Sequence, residues 1–161
     1  MKLWQKDKAS LKQVEIFTVG KDREMDMYLA AFDVLGSLAH IEMLESVGLL
    51  TKDELLQLQK ELKNVFRQIK KGEFILQDDV EDIHSQVELL LTQKLGDIGK
   101  KIHSARSRND QVLVDIKLFL RNELEELVKT IQSFFELLQS QSEKYKDHLL
   151  PGYTHLQLAM P

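Results

Sequence analysis

At 161 residues, 43% hydrophobic and 30% charged, the chain suits one domain, or one small domain plus part of another, and its composition is globular. A net charge of −4 gives no general attraction to nucleic acid or an anionic membrane, so any basic site must be local. There is no cysteine, which excludes disulfides and thiolate metal sites; the opening Met1-Lys2-Leu3-Trp4-Gln5-Lys6-Asp7 turns polar too early for a signal peptide, and a cytoplasmic address is expected.

Proline occurs only at positions 151 and 161, and helices suit the long stretch before it. Tyr28, Phe32, Leu35, Ala39 and Met43 recur at three and four residues, which predicts one buried stripe of a helix over about 22–47. Gly48 stands where a left-handed C-terminal cap belongs. Thr51-Lys52-Asp53-Glu54 reads as a capping box, with Leu50 and Leu55 placed as a hydrophobic staple. The stripe of this second helix is Leu55, Leu58, Leu62, Val65 and Ile69, and Gly72 ends it. A third, shorter helix is expected over about 80–95, with Val80, Ile83, Val87 and Leu90 inward and Asp78 or Asp79 as its cap. No segment shows sustained strand alternation, so the fold class is all-α.

Gly96 and Gly99 interrupt this pattern, and Lys100, Lys101, Arg106 and Arg108 follow within a short space. A boundary near residue 105 separates a small helical N-terminal domain, 1–105, from a segment of different character, 106–161. About 40 residues from Ser107 to His148 contain neither glycine nor proline. Leu113, Leu120, Leu127 and Phe134 recur every seven residues, with Ile116, Leu124, Ile131 and Leu138 beside them. Such a helix is roughly 60 Å long at 1.5 Å per residue. The preceding residues cannot cover it, so it needs partner helices, an argument for an oligomeric bundle.

Its two ends carry the chemical signal. Ser104-Ala105-Arg106-Ser107-Arg108-Asn109-Asp110-Gln111 sits at the N-terminal end, where unpaired N–H groups and the positive end of the dipole favour an anion. Arginines match a carboxylate with paired donors, and Asn109 adds neutral ones. The same residues also read as a basic loop with Ser107 or Asn109 capping a helix. Past the other end, Pro151-Gly152 signals a turn, and Thr154, His155 and Gln157 bring a hydroxyl, an imidazole and an amide together. His155 is either a proton-exchanging group or an ordinary loop histidine. By helix rise the two segments lie about 60 Å apart on one chain, so a shared site would have to be built between chains.

Ser107-Arg108-Asn109-Asp110-Gln111-Val112 and Pro151-Gly152-Tyr153-Thr154-His155-Leu156-Gln157 resemble two signature regions of the argininosuccinate lyase family, within the fumarase/aspartase superfamily. Lys2-Leu3-Trp4, Asp33-Val34-Leu35-Gly36-Ser37, Gly48-Leu49-Leu50-Thr51 and Glu81-Asp82-Ile83-His84 extend the resemblance along the chain in order. It implies a homotetramer around long helices, each active site drawn from three subunits, with no metal or organic cofactor. The implied reaction is β-elimination: a proton is removed beside a succinyl carboxylate, an aci-carboxylate forms, and the guanidino nitrogen leaves. Donors around the carboxylate stabilise charge that develops near the transition state, and the basic leaving nitrogen departs with proton help.

Carried over by position, the resemblance makes Asn109 and Thr154 substrate contacts, Arg108 a carboxylate clamp and His155 part of the acid–base machinery. His84 falls in a segment that approaches the site in relatives. The chain departs from the pattern at Gln5-Lys6-Asp7-Lys8, at Asp22 in place of a substrate-contacting serine, and at Leu158 and Met160. The serine that the resemblance makes the catalytic base lies in a loop beyond Pro161. The chain is accordingly expected to be a fragment without lyase activity of its own. The alternative class is a structural helical-bundle relative without catalysis.

Overall fold

A computed structural model describes residues 17–18, 20–77 and 80–160. The opening Lys2-Leu3-Trp4 and Gln5-Lys6-Asp7-Lys8, the expected caps Asp78 and Asp79, and Pro161 lie outside the described residues. The chain divides into two compact units, Met1–Leu120 and Arg121–Pro161. The first holds α1 (Asp22–Asp26), α2 (Ala30–Ser46), α3 (Lys52–Lys70), α4 (Ile83–Leu95), α5 (Asp97–Lys100) and a 3-10 turn (Lys101–His103). The long helix α6 (Arg108–Tyr145) opens in the first unit and continues in the second, which ends in a hairpin of β1 (Gly152–Thr154) and β2 (Gln157–Met160). Among the described residues the molecule is all-α apart from this hairpin, which the lack of sustained strand alternation does not anticipate.

The helix expected over 22–47 is divided. Between α1 and α2 the backbone tightens into i→i−3 bonds, Tyr28 N–H to the Met25 carbonyl at 3.1 Å and Leu29 N–H to Asp26 at 2.8 Å. Its buried face is also not the expected one. Ala30, Val34, Ser37, Ile41 and Leu44 are buried, whereas Tyr28, Leu35 and Met43 are exposed. Phe32, on that stripe, meets Phe119 edge-on at 5.9 Å. Both faces of α2 are apolar, and the core-forming partners lie on only one of them.

The next elements follow their sequence signals closely. Gly48 takes φ +79°, and Leu49 N–H reaches back to the Leu44 carbonyl at 2.9 Å, closing a Schellman cap. Thr51 and Glu54 form the capping box: Glu54 N–H donates to Thr51 Oγ1 at 3.2 Å, and Thr51 N–H donates to Glu54 Oε2 at 2.9 Å. Leu58, Leu62 and Val65 are buried with Leu55 and Ile69 packed beside them, and Gly72 ends the helix at φ +71°. Helix α4 starts at Ile83, three residues later than expected. Its cap is Asp82, not Asp78 or Asp79, because Asp82 has the extended backbone that lets its carboxylate accept from Ser85 N–H at 2.8 Å. Val80 is buried ahead of the helix, and Leu91 joins Ile83 and Val87 in the core.

The core of the first unit therefore lies among α2, α3 and α4, closed by Leu50, Phe74 and Ile102. Gly99 lets α5 come back onto α4: a Cβ there would stand 2.5 Å from the Leu91 backbone carbon. Helix α6 is unbroken over 38 residues. Every residue from 121 to 150 is exposed, with local pairs such as Arg121–Glu125 at 3.3 Å along the surface.

Candidate functional site

The N-terminal turn of α6 is built by its own side chains. Ser107 N–H donates to Asp110 Oδ2 at 2.8 Å, Ser107 Oγ–H donates to the same oxygen at 2.9 Å, and Asp110 N–H donates to Ser107 Oγ at 3.3 Å. Ser107 is thus the cap, and those bonds hold the Asp110 carboxyl below the usual carboxylate range. Asn109, next along, is exposed. The loop that leads in turns sharply at Ala105, which adopts φ +58°. His40 Nε2–H donates to the Ser104 carbonyl at 2.8 Å, and burial pushes the His40 imidazole below its ordinary pKa.

Arg108 is engaged by the first unit. It forms an ion pair with the cap residue Asp82 and donates from Nη2 to Ser85 Oγ at 3.2 Å. Burial would raise the Asp82 carboxyl, but the Ser85 N–H and the Arg108 charge outweigh it and hold the group low. Arg106 turns the other way and donates to Ser37 Oγ at 3.1 Å. Arg108 and Arg106 thus brace the loop onto α4 and α2 respectively.

Behind this turn lies a buried polar cluster that the sequence reading missed. Asp33 Oδ1 accepts from His84 Nδ1 at 2.8 Å and from Gln111 Nε2 at 3.3 Å. Asp115 Oδ2 stands 3.7 Å from the same histidine nitrogen. Asp33, His84, Gln111 and Asp115 are all buried. Burial disfavours the His84 cation, but the hydrogen bond and charge of Asp33 win and raise its pKa. Burial, then the neighbouring Asp33 charge, pushes the Asp115 carboxyl up to about 7. A cavity of about 560 Å³ opens over the cluster between α2 and α6, walled by Leu35, Ala39, Met43, Val114 and Leu118. Asp115 lies one turn beyond Gln111 on the face of α6 away from Leu113 and Leu120, where an acid reads as an ordinary solvent-facing residue, so nothing local marks it for burial.

Thr154 and His155 belong to the second unit and are not brought beside Asn109 within either unit. Thr154 pairs with Gln157 across the hairpin, and the two residues between them, His155 and Leu156, both take positive φ, +50° and +64°. Positive φ at both central positions is the geometry of a type I′ turn, which asparagine and glycine usually fill. The hairpin therefore holds an exposed imidazole at its tip on a backbone that histidine adopts at some cost. Asp22 begins α1 and is exposed, and Leu158 and Met160 are exposed on β2.

Comparison with known proteins gives this geometry its context. Residues 6–161 match a family described as Lyase. The chain is 63% identical over 160 residues to an argininosuccinate lyase of Parabacteroides distasonis and 62% identical over the same length to one of Phocaeicola vulgatus. It is 44% identical over 136 residues to an argininosuccinate lyase of Thermoanaerobacter pseudethanolicus. These alignments cover 99%, 99% and 84% of this chain but only 36%, 36% and 30% of the relatives, so the chain spans about a third of the length of the curated relatives it matches. The family match covers nearly the whole chain, and the helical architecture accords with it: the chain belongs to the Lyase family, with the helical fumarase/aspartase fold.

Proposed function

We propose that the whole protein is an argininosuccinate lyase, which splits argininosuccinate into arginine and fumarate by β-elimination. The observation that carries this reading is identity above 60% to proteins of that name along an alignment that includes both ends of α6. In this reading Asn109 and Thr154 contact the substrate. Arg108 clamps a carboxylate with the N–H groups that Asp82 and Ser85 leave open, and its attachment to α4 fixes the direction from which it approaches. His155 exchanges a proton at or near the reacting centre, and a two-residue turn gives the imidazole a fixed mount.

A homotetramer supplies what a single copy lacks. The apolar residues of α6 from Leu120 to Leu138 are exposed, and helices of neighbouring subunits would cover them while bringing opposite ends together. Residues 1–105 then form the N-terminal helical domain and 106–161 open the central bundle, with a cytoplasmic address. Among the described residues no helix is long and apolar enough to cross a membrane.

Fumarate release from argininosuccinate by the full-length protein, followed by ultraviolet absorbance, tests the assignment. His155→Ala and Asn109→Ala are each expected to lower turnover by about a hundredfold or more. A full-length wild type that folds, assembles and releases no fumarate overturns the reading.

A further inference from the structure

The buried side chains of α6, among the described residues, are Gln111 and Asp115, and both are polar. This is an unusual way to seat a helix that carries Val112, Val114, Leu118 and Phe119 within the same three turns. Apolar side chains of similar shape in such a site are often as stable or more so, because burying polar groups costs desolvation. What hydrogen bonds add is direction. A greasy contact tolerates rotation about the helix axis, whereas an amide donor aimed at one carboxylate oxygen does not.

Asp33 Oδ1 is the meeting point of three helices: it accepts from Gln111 on α6 and from His84 on α4, and is itself carried by α2. Gly36, one turn along α2, allows the close approach, since a Cβ there would stand 3.2 Å from Val114 Cγ1. Asp33 and Asp115 both face His84, at 2.8 Å and 3.7 Å, and Arg106 lies near both carboxyls. On an α-helix, Asn109 and Gln111 lie about 200° apart. Turning Gln111 inward therefore turns Asn109 outward, which is where it is found.

We infer that Asp33, His84 and Gln111 are positioning residues that set the rotational register of the first turn of α6 and so aim Asn109. The role of Asn109 as a substrate contact rests on the lyase reading; the register does not. Gln111 acts directly on the helix. Asp33 acts through Gln111, and His84 acts by holding Asp33 in place. Asp115, one turn further on, keeps the same face inward.

The experiment uses the full-length protein with Gln111→Leu, which keeps side-chain bulk and burial but removes the donor. Hydrogen–deuterium exchange is read at the backbone amides of residues 111–116, the first whose N–H groups bond back to a carbonyl along α6, with Lys52–Lys70 as internal reference. Exchange at 111–116 is expected to rise about tenfold or more while α3 stays as in the wild type, and kcat is expected to fall about tenfold with KM moved less. Wild-type exchange at 111–116, or faster exchange throughout α3 as well, overturns the register. Local loosening with unchanged kcat overturns the aiming of Asn109. If Gln111→Leu does not fold, Gln111→Asn keeps the amide but shortens its reach to Asp33, and the same local exchange is expected. Asp33→Asn retains an acceptor oxygen and is expected to keep wild-type exchange; loosening there would also count against the inference. A wild type without lyase activity would sink the assigned function, and the exchange result would still decide the register.

Discussion

The two ends of α6 are made of the same kind of helix and are held in opposite ways. Near its start, Gln111 and Asp115 are buried against α2 and α4, and Arg108 is tied to Asp82. From Arg121 onward every helical residue is exposed, although Leu124, Leu127, Ile131, Phe134 and Leu138 are as apolar as a core. The first stretch is specified by polar contacts made within this chain. The second carries apolar surface with no partner among the described residues. Direction matters where Asn109 is proposed to meet the substrate; area matters where helices are proposed to associate.

The largest break in this contrast comes from the exposed stretch. Leu127→Asp places a charge in the middle of the seam, and in the full-length protein it is expected to convert the proposed tetramer to smaller species in sedimentation velocity. The cost is several kcal/mol per interface, about the desolvation penalty of a buried unpaired charge. If the tetramer survives unchanged, the seam of α6 does not form the bundle. The next largest comes from the locked stretch. His84→Ala leaves the Asp33 carboxylate buried with only the Gln111 donor, and a loss of about 3–5 kcal/mol is expected by denaturant unfolding. A loss below about 1 kcal/mol would mean that water replaces the imidazole and the pair does little for stability.

How much of this was legible depended on whether the signal was local. The second helix could be read to the residue, because Thr51, Glu54, Gly72 and the stripe from Leu55 to Ile69 all concern one segment. The long helix was equally plain, since nothing interrupts it. The buried face of α2 was not: Val34, Ile41 and Leu44 compete with Leu35 and Met43, and only the placement of α3 and α4 decides between them. The cap of α4 was misplaced because three aspartates precede it and any could serve. The hairpin escaped notice because its strands are three and four residues long and its turn uses His155-Leu156 in place of Asn-Gly. The cluster behind the site joins Asp33, His84, Gln111 and Asp115 from distant segments; the resemblance singles out His84, but nothing local pairs it with the other three. Asn109, Thr154 and His155 are proposed from their motifs alone, and the braces on Arg106 and Arg108 have no local signal.

A smaller effect sharpens the electrostatic side of the comparison. The Asp115 carboxyl is raised to about 7 in the fold, above its ordinary value of 3.8, so the folded state holds a proton that the unfolded chain has lost between those values. Stability tied to this group therefore falls as pH rises from about 4 through 7. Asp115→Asn cannot ionise and escapes that loss. The melting temperature of the variant relative to wild type is expected to rise between pH 5 and pH 8. A difference that stays constant with pH would show that Asp115 titrates as an ordinary exposed carboxylate.

The smallest expected effect compares backbone strain at the two ends. Ala105, leading into the locked turn, and Leu156, at the hairpin tip, both occupy the left-handed region, at φ +58° and +64°. That region costs an L-residue about 1–2 kcal/mol, and glycine escapes the cost while losing about 0.5–1 kcal/mol through its freer unfolded chain. Replacing either residue with glycine is therefore expected to stabilise by a few tenths to about 1 kcal/mol. Leu156 is fully exposed and loses no packing within this chain, so Leu156→Gly measures the backbone contribution alone. Ala105→Gly should match it if the loop into α6 is held only by its dihedral angle. The loop is also held by the His40 contact to Ser104 and the Arg106 contact to Ser37. If these over-determine it, Ala105→Gly keeps the full gain without loosening residues 111–116 in hydrogen exchange. A gain at Leu156 with a loss at Ala105 would mean instead that the alanine methyl makes a contact that the turn depends on.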